Sequence, residues 1–149
     1  MKQTANCSVT HTGDHEFTIN APGGTDYFIH PDRREPILNA PMAYVTVEGD
    51  VDVRVRIAPQ MRFTYDAGAL IVAGDDAHWI KAALEMTDLG HPSIVTVVTN
   101  GISDDANGEI FSAPAAWMRI LRKGDLFAVH YSVDGTAWKM VRMFELVMA

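Results

Sequence analysis

The sequence predicts an all-β domain, built as an antiparallel two-sheet β-sandwich. Three observations predict this class: stretches in which apolar and polar residues alternate, turn-forming residues at short intervals between them, and no long helical pattern. A half-buried strand alternates with a period of two, and its apolar face has to be covered by a second layer. Two packed sheets are therefore the predicted architecture.

The clearest strand pattern runs through residues 44–57, where six Val and Ile residues share one parity and mostly polar residues occupy the other. Gly49-Asp50 interrupts the pattern and predicts a turn or bulge. The same periodicity predicts further strands at 67–74, 78–86, 93–101, 117–124, 125–133 and 137–147. Asp134-Gly135 between the last two strands predicts a tight two-residue hairpin turn, because both residue types tolerate positive φ angles.

The 149 residues are predicted to form one domain, with residues 1–15 as either a loose N-terminal extension or an edge strand. A net charge of -7 argues against a nucleic-acid partner, because phosphate binding needs clustered Lys and Arg. The single cysteine, Cys7, allows no intrachain disulfide and is predicted to be a spare thiol near a loose terminus. Since there is neither an apolar leader nor a run of about 18 apolar residues, we expect no membrane partner and predict the cytoplasm.

Strand parity predicts which side chains fill the core. If Ile80, Ala82 and Leu84 point inward, Trp79, Lys81 and Glu85 point outward from the same strand. By the same reasoning we expect Val95 and Val97 inside and Thr96 and Asn100 outside. Later in the chain, Arg119, His130 and Ser132 are expected on an outward face.

Motifs spread over residues 25–145 resemble a known family. They are Thr25-Asp26-Tyr27-Phe28, Asn39-Ala40-Pro41, Tyr65-Asp66-Ala67-Gly68, Trp79-Ile80-Lys81 with Glu85, Val97-Val98-Thr99-Asn100-Gly101, Ser103-Asp104, Arg119-Ile120, and Ser132-Val133-Asp134-Gly135 with Trp138. Their order resembles the uncharacterised family named after the "regulation of enolase" protein, which has the concanavalin A-like lectin/glucanase fold. It is also similar to the C-terminal module of some β-xylosidases. The resemblance implies a concanavalin A-like jelly roll with a concave face, where lectin-like relatives bind sugars.

The candidate ligand-binding residues are polar or aromatic side chains predicted near this polar face. A Trp ring can stack on a pyranose and charged groups can bind its hydroxyls, but the same charges also form ordinary cross-strand ion pairs. Residues 100–105 offer too few oxygen ligands for Ca²⁺ and are interpreted as a capped turn, while 132–138 is interpreted as a hairpin staple. The candidates are Asp26, Trp79, Lys81, Glu85, Asn100, Ser103, Arg119, His130, Ser132 and Arg142.

No catalytic residue, metal site or cofactor is predicted. Glycosidases need two carboxyl groups about 5–9.5 Å apart, whereas Glu85 has Lys81 and Ala83 at its same-face positions. Carbohydrate binding is the leading hypothesis, a regulatory protein-interaction domain acting on a metabolic enzyme is the alternative, and a degenerate glycoside hydrolase is the weakest of the three. The alternative predicts an exposed apolar patch that includes some of Met42, Met61, Met140, Met143 and Met148. The sequence predicts no oligomeric state.

Overall fold

The computed structural model describes residues 1–148, and every regular element in that range is a β-strand. The chain forms two compact units, one from Met1 to Val47 and one that starts at Glu48. All strand pairs are antiparallel.

The first unit consists of three short two-stranded ribbons. β1 (Lys2–Gln3) pairs with β6 (Ala43–Tyr44), β2 (Ser8–Gly13) with β3 (Glu16–Asn20), and β4 (Tyr27–Phe28) with β5 (Ile37–Leu38). Strands of two residues leave almost no periodic signal in a sequence, so most of them went unpredicted. Cys7 is buried rather than exposed at a loose terminus, and its amide donates to the carbonyl of Thr4 at 3.0 Å.

The second unit contains two four-stranded sheets, and the predicted two-sheet sandwich is confirmed. Sheet I has the order β11-β10-β9-β8 and sheet II the order β14-β13-β12-β7. The strands are β7 (Val51–Ile57), β8 (Ala67–Ala73), β9 (His78–Met86), β10 (Pro92–Asn100), β11 (Ser103–Ile110), β12 (Ala116–Lys123), β13 (Leu126–Ser132) and β14 (Lys139–Glu145).

The core lies between the facing sides of the two sheets. Sheet I contributes Ile80, Ala82 and Leu84, as predicted, and sheet II contributes Ile120 and Val129, all without exposed surface. Each Leu, Ile or Val side chain buried in this way stabilises the fold by about 1.5–3 kcal/mol. This core is what fixes the outward direction of the alternate residues on each strand.

The predicted parity of β10 is wrong. Val95 and Val97 pair with Ala83 and Lys81, so they lie on the face of sheet I that points away from the core. Thr96 pairs with Ala82 and points inward, and it is buried. The error arises because both parities of β10 are buried, and a strand that is apolar on both faces carries no alternation from which to read direction.

Two further predictions needed correction. Residues 103–110 form strand β11, where the sequence predicts no strand and 100–105 is interpreted as a capped turn. A Cβ on Gly108 would lie 2.8 Å from the carbonyl oxygen of Ile94, so glycine permits this close pairing. The hairpin between β13 and β14 exists, but its loop spans 133–138. In that loop only Gly135, at φ 79°, has a positive φ, so it is not the two-residue turn expected.

Candidate functional site

The predicted site residues do not share one face. Trp79, Lys81 and Glu85 lie on β9 of sheet I, on the side away from the core, whereas Arg119 and His130 lie on the outer side of sheet II. The outer sides of two packed sheets point in opposite directions. The single polar face expected from the sequence is therefore not formed by these residues.

The β9 candidates are also buried, contrary to the expected outward exposure. Trp79 has no exposed surface, and Lys81 and Glu85 are only 7% and 8% exposed. Every residue from 79 to 85 is buried, so both sides of this strand are covered. Parity had indicated correctly which side these residues occupy, but it says nothing about whether that side is open to solvent.

Three other candidates have local structural contacts. The Ser103 hydroxyl lies 2.9 Å from the Thr99 hydroxyl, and both residues are buried. Asn100 is exposed at the end of β10, where its amide donates to the carbonyl of Ile102. Asp26 belongs to the first unit, and its Oδ1 accepts a hydrogen bond from the amide of Tyr27 at 2.7 Å.

Ser132 and Asp134 shape the loop between β13 and β14, as predicted for a hairpin staple. The buried Ser132 Oγ accepts a hydrogen bond from the Gly135 amide at 3.0 Å, and Asp134 Oδ1 accepts from the amides of Ala137 and Thr136 at 2.9 and 2.8 Å. These amide donors, that of Ala137 first, hold the pKa of Asp134 well below its usual range. The loop that these bonds hold ends at Trp138, the residue before β14.

Arg142 joins the edges of the two sheets rather than facing outward with Arg119. A bulge in the β13–β14 pairing places it opposite Val129, a core residue, and its Nη2 donates to Asp104 Oδ2 on β11 at 2.7 Å. Glu109 reinforces the same edge. It accepts the hydroxyl hydrogen bond of Tyr131 and lies 3.0 Å from Lys139 Nζ.

The outer side of sheet II carries a cluster that sequence analysis found only in part. Asp52 Oδ1 and Oδ2 accept hydrogen bonds from Nε and Nη2 of Arg119 at 2.8 and 2.7 Å, and from the same atoms of Arg54 at 3.1 and 2.7 Å. The ring centre of Trp138 lies 5.7 Å from the Arg119 guanidinium carbon and 5.8 Å from that of Arg54. Both cations are thus within cation–π range of one ring. We call Asp52, Arg54, Arg119 and Trp138 the arginine clamp.

Strand register explains the clamp. Alternation along β7 puts Asp52 and Arg54 on the same outer side, and the β7–β12 pairing places Arg54 directly beside Arg119. The two guanidinium groups, that of Arg119 first, hold the pKa of Asp52 well below its usual range. His130 pairs with Arg119 on the next strand, and partial burial together with the Arg119 charge lowers the pKa of its imidazole.

Exposed apolar side chains lie on the same outer side as the clamp. Met140 pairs with His130 and Met143 with Ala128, and both methionines are 61% exposed. Leu126, 48% exposed, borders a shallow depression of about 490 Å³ that also reaches Asp52. Of the other predicted methionines, Met148 and Met61 pack with the core and Met42 is half-buried in the first unit. Together, the clamp and these apolar residues form what we call the clamp face.

The charge of sheet II is opposite to that of the whole chain. Its four strands carry seven of the 12 Lys and Arg residues but only two of the 19 Asp and Glu residues. The chain is therefore polarised, with a basic sheet in an acidic protein.

In residues 1–148, no three His, Cys, Asp or Glu side chains come together as metal ligands, and no helix is long and apolar enough to cross a membrane.

These features define the class as a two-sheet β-sandwich domain with an exposed basic and apolar face. The chain belongs to the family described as "Protein of unknown function (DUF1349)", which matches residues 4–149. It is 32% identical over 92 residues to "Regulation of enolase protein 1" of Saccharomyces cerevisiae (strain ATCC 204508 / S288c). That match covers 60% of this chain and 46% of the relative, so the chain spans about half of the relative's length. The family likeness inferred from the motifs is thereby confirmed.

A solved structure has the same fold. It is described as "The crystal structure of a functionally unknown protein from Saccharomyces cerevisiae", and it superimposes with a TM-score of 0.85 at 24% identity. The match covers 95% of this chain and 76% of the solved one. The concanavalin A-like assignment stays a prediction.

Proposed function

We propose that this chain is a non-catalytic regulatory domain that binds a protein partner through the clamp face. The observation that carries the proposal is the exposure of Leu126, Met140 and Met143 beside the arginine clamp. Interface cores are enriched in Met, Arg and aromatic residues, and a few such residues dominate binding energy. The clamp face combines these residue types on a rigid sheet.

The name of the yeast relative supports a metabolic enzyme as the partner, and enolase is the first candidate. The similarity covers 46% of that relative, so its target is carried to this chain as part of the proposal.

Carbohydrate binding has less support. Trp79 is fully buried and offers no ring face on which a pyranose could stack, and the remaining candidates are divided among the first unit and the two sheets. The glycosidase hypothesis depended on the carboxylate of Glu85. Because Glu85 is only 8% exposed, a polysaccharide cannot reach this carboxylate.

The test is the binding of purified enolase, from the organism that supplies this chain, to the immobilised chain. Replacing Met140 and Met143 by Ser removes the two exposed methionines of the clamp face without touching the core. We expect this double variant to bind enolase at least about tenfold more weakly, since interface anchors each contribute more than about 1 kcal/mol.

Leu89→Ser is the matched control, because Leu89 is 66% exposed in the β9–β10 loop, away from the clamp face. It should bind enolase like the parent chain. Equal weakening in both variants would refute the clamp face as the docking surface, and a parent chain that binds no enolase would refute enolase as the partner.

A further inference from the structure

We infer that the partner docks on the clamp through a carboxylate of an acidic segment, an inference that rests on the proposed function and names the chemistry of its partner. The clamp holds two guanidinium groups and one carboxylate, so it keeps one net positive charge. An acidic side chain from a partner supplies the missing charge.

The two guanidinium groups have hydrogen-bonding capacity left after binding Asp52. Each arginine has five N–H donors, and Asp52 takes one from Nε and one from Nη2 of each. In the part of the chain that the structure describes, no other acceptor contacts Arg54 or Arg119, which leaves three donors on each. Their side chains are 48% and 21% exposed, so solvent and a partner can reach them.

The clamp is also held in position before any partner arrives. Asp52 binds both arginines through two oxygens, and Trp138 lies within cation–π distance of both. Fixing these long side chains in advance removes part of the entropy that binding would otherwise cost. Arginine pairs with carboxylates through two parallel hydrogen bonds, which makes a fixed guanidinium a selective site for that group.

Charge distribution favours an acidic segment over other partners. The cations on the outer side of sheet II outnumber the acidic residues there by four to two: Arg54, Arg56, Arg119 and Lys123 against Asp52 and Glu145. Because the chain as a whole has a charge of -7, an acidic partner is attracted to this face and repelled by the rest of the surface. Leu126, Met140 and Met143 beside the clamp add apolar contacts that a polyphosphate backbone would not use. A peptide with carboxylates next to large apolar side chains matches both features.

The test uses a hexaglutamate peptide as the acidic probe and hexaglutamine as its neutral counterpart, with binding followed by amide NMR shifts of the full chain. Arg54→Gln removes one arm of the clamp. Arg62→Gln makes the same charge change in the β7–β8 loop, where Arg62 binds Gln60. We expect Arg54→Gln to weaken hexaglutamate binding about tenfold and Arg62→Gln to leave it within about twofold.

Salt gives a second readout. Raising NaCl from about 0.01 M to about 0.15 M shortens the screening length from about 30 Å to about 8 Å, and hexaglutamate binding should weaken accordingly.

Equal weakening by both variants, or equal binding of hexaglutamine, would overturn the carboxylate inference. If enolase binding depends on Met140 and Met143 while the affinity for hexaglutamate is unchanged by Arg54→Gln, the carboxylate inference fails and the protein-binding function stands. If hexaglutamate binding depends on Arg54 but enolase does not bind, the clamp's chemistry is supported and enolase as the partner fails.

Discussion

Arg119 donates from Nε and Nη2 to the two carboxylate oxygens of Asp52, at 2.8 and 2.7 Å, although the two residues are 67 positions apart in the chain. Arg54 binds the same carboxylate from two positions further along β7. One acidic side chain therefore holds two cations together on the outer side of sheet II. Without it, two guanidinium groups at adjacent register positions would repel each other.

Asp52→Asn should lower the free energy of unfolding at neutral pH by about 1 kcal/mol, because the pair is partly exposed and solvent screens it. The folded-state pKa of Asp52 lies below its unfolded value, so the ionised carboxylate stabilises the fold. This contribution is complete above about pH 4 and is lost as the pH falls through the folded-state pKa. The stability difference between parent and variant, measured by urea unfolding, should therefore shrink in acid.

The control is Asp88→Asn, which removes an exposed carboxylate in the β9–β10 loop and should change stability by less than about 0.5 kcal/mol. A parent–variant difference for Asp52 that stays constant from neutral to acidic pH would contradict the charge-pair explanation.

The sequence predicts only part of the arginine clamp, for identifiable reasons. Alternation along β7 places Asp52 and Arg54 on the same side of the strand, and the sequence also predicts Arg119 on an outward face. Sequence could not indicate that the ring of Trp138 lies against both arginines, because that depends on the staple's three-dimensional course. Nor could it indicate burial of Lys81, since alternation identifies a side of the sheet but not what covers that side.

Replacing both Lys81 and Glu85 by Ala should lower the free energy of unfolding by about 3 kcal/mol or more. Both side chains are over nine-tenths buried, so truncation removes packed methylene groups and leaves the groups that bind these charges without their partners. Chemical unfolding of the double variant measures this loss. Lys123→Ala with Glu145→Ala is the exposed counterpart at the ends of β12 and β14, and it should cost less than about 1 kcal/mol. Equal stability of parent and buried double variant would contradict the burial.

Tyr65→Gly should stabilise the protein slightly, by about 0.5–1 kcal/mol. Tyr65 has a φ of 70°, which costs an L-residue about 1–2 kcal/mol, while its side chain is 65% exposed and contributes little packing. The greater freedom of glycine in the unfolded chain offsets part of the gain. Phe63→Gly is the control, because Phe63 is 73% exposed but has no positive φ, and it should destabilise instead. Thermal midpoints that fall in both variants would argue against backbone strain at Tyr65.

Gly135→Ala should lower the free energy of unfolding by about 2 kcal/mol and displace the Trp117 indole. Gly135 has a φ of 79°, and a Cβ there would lie 3.0 Å from the indole of Trp117, so the substitution combines backbone strain with a steric clash. Gly124→Ala separates the two costs, since Gly124 has a φ of 58° but nothing within 4 Å of an added Cβ. It should therefore cost only about 1 kcal/mol and leave tryptophan fluorescence unchanged. If both variants lose equal stability, the Trp117 contact contributes nothing; if only Gly135→Ala alters the fluorescence, the added Cβ has displaced the Trp117 indole.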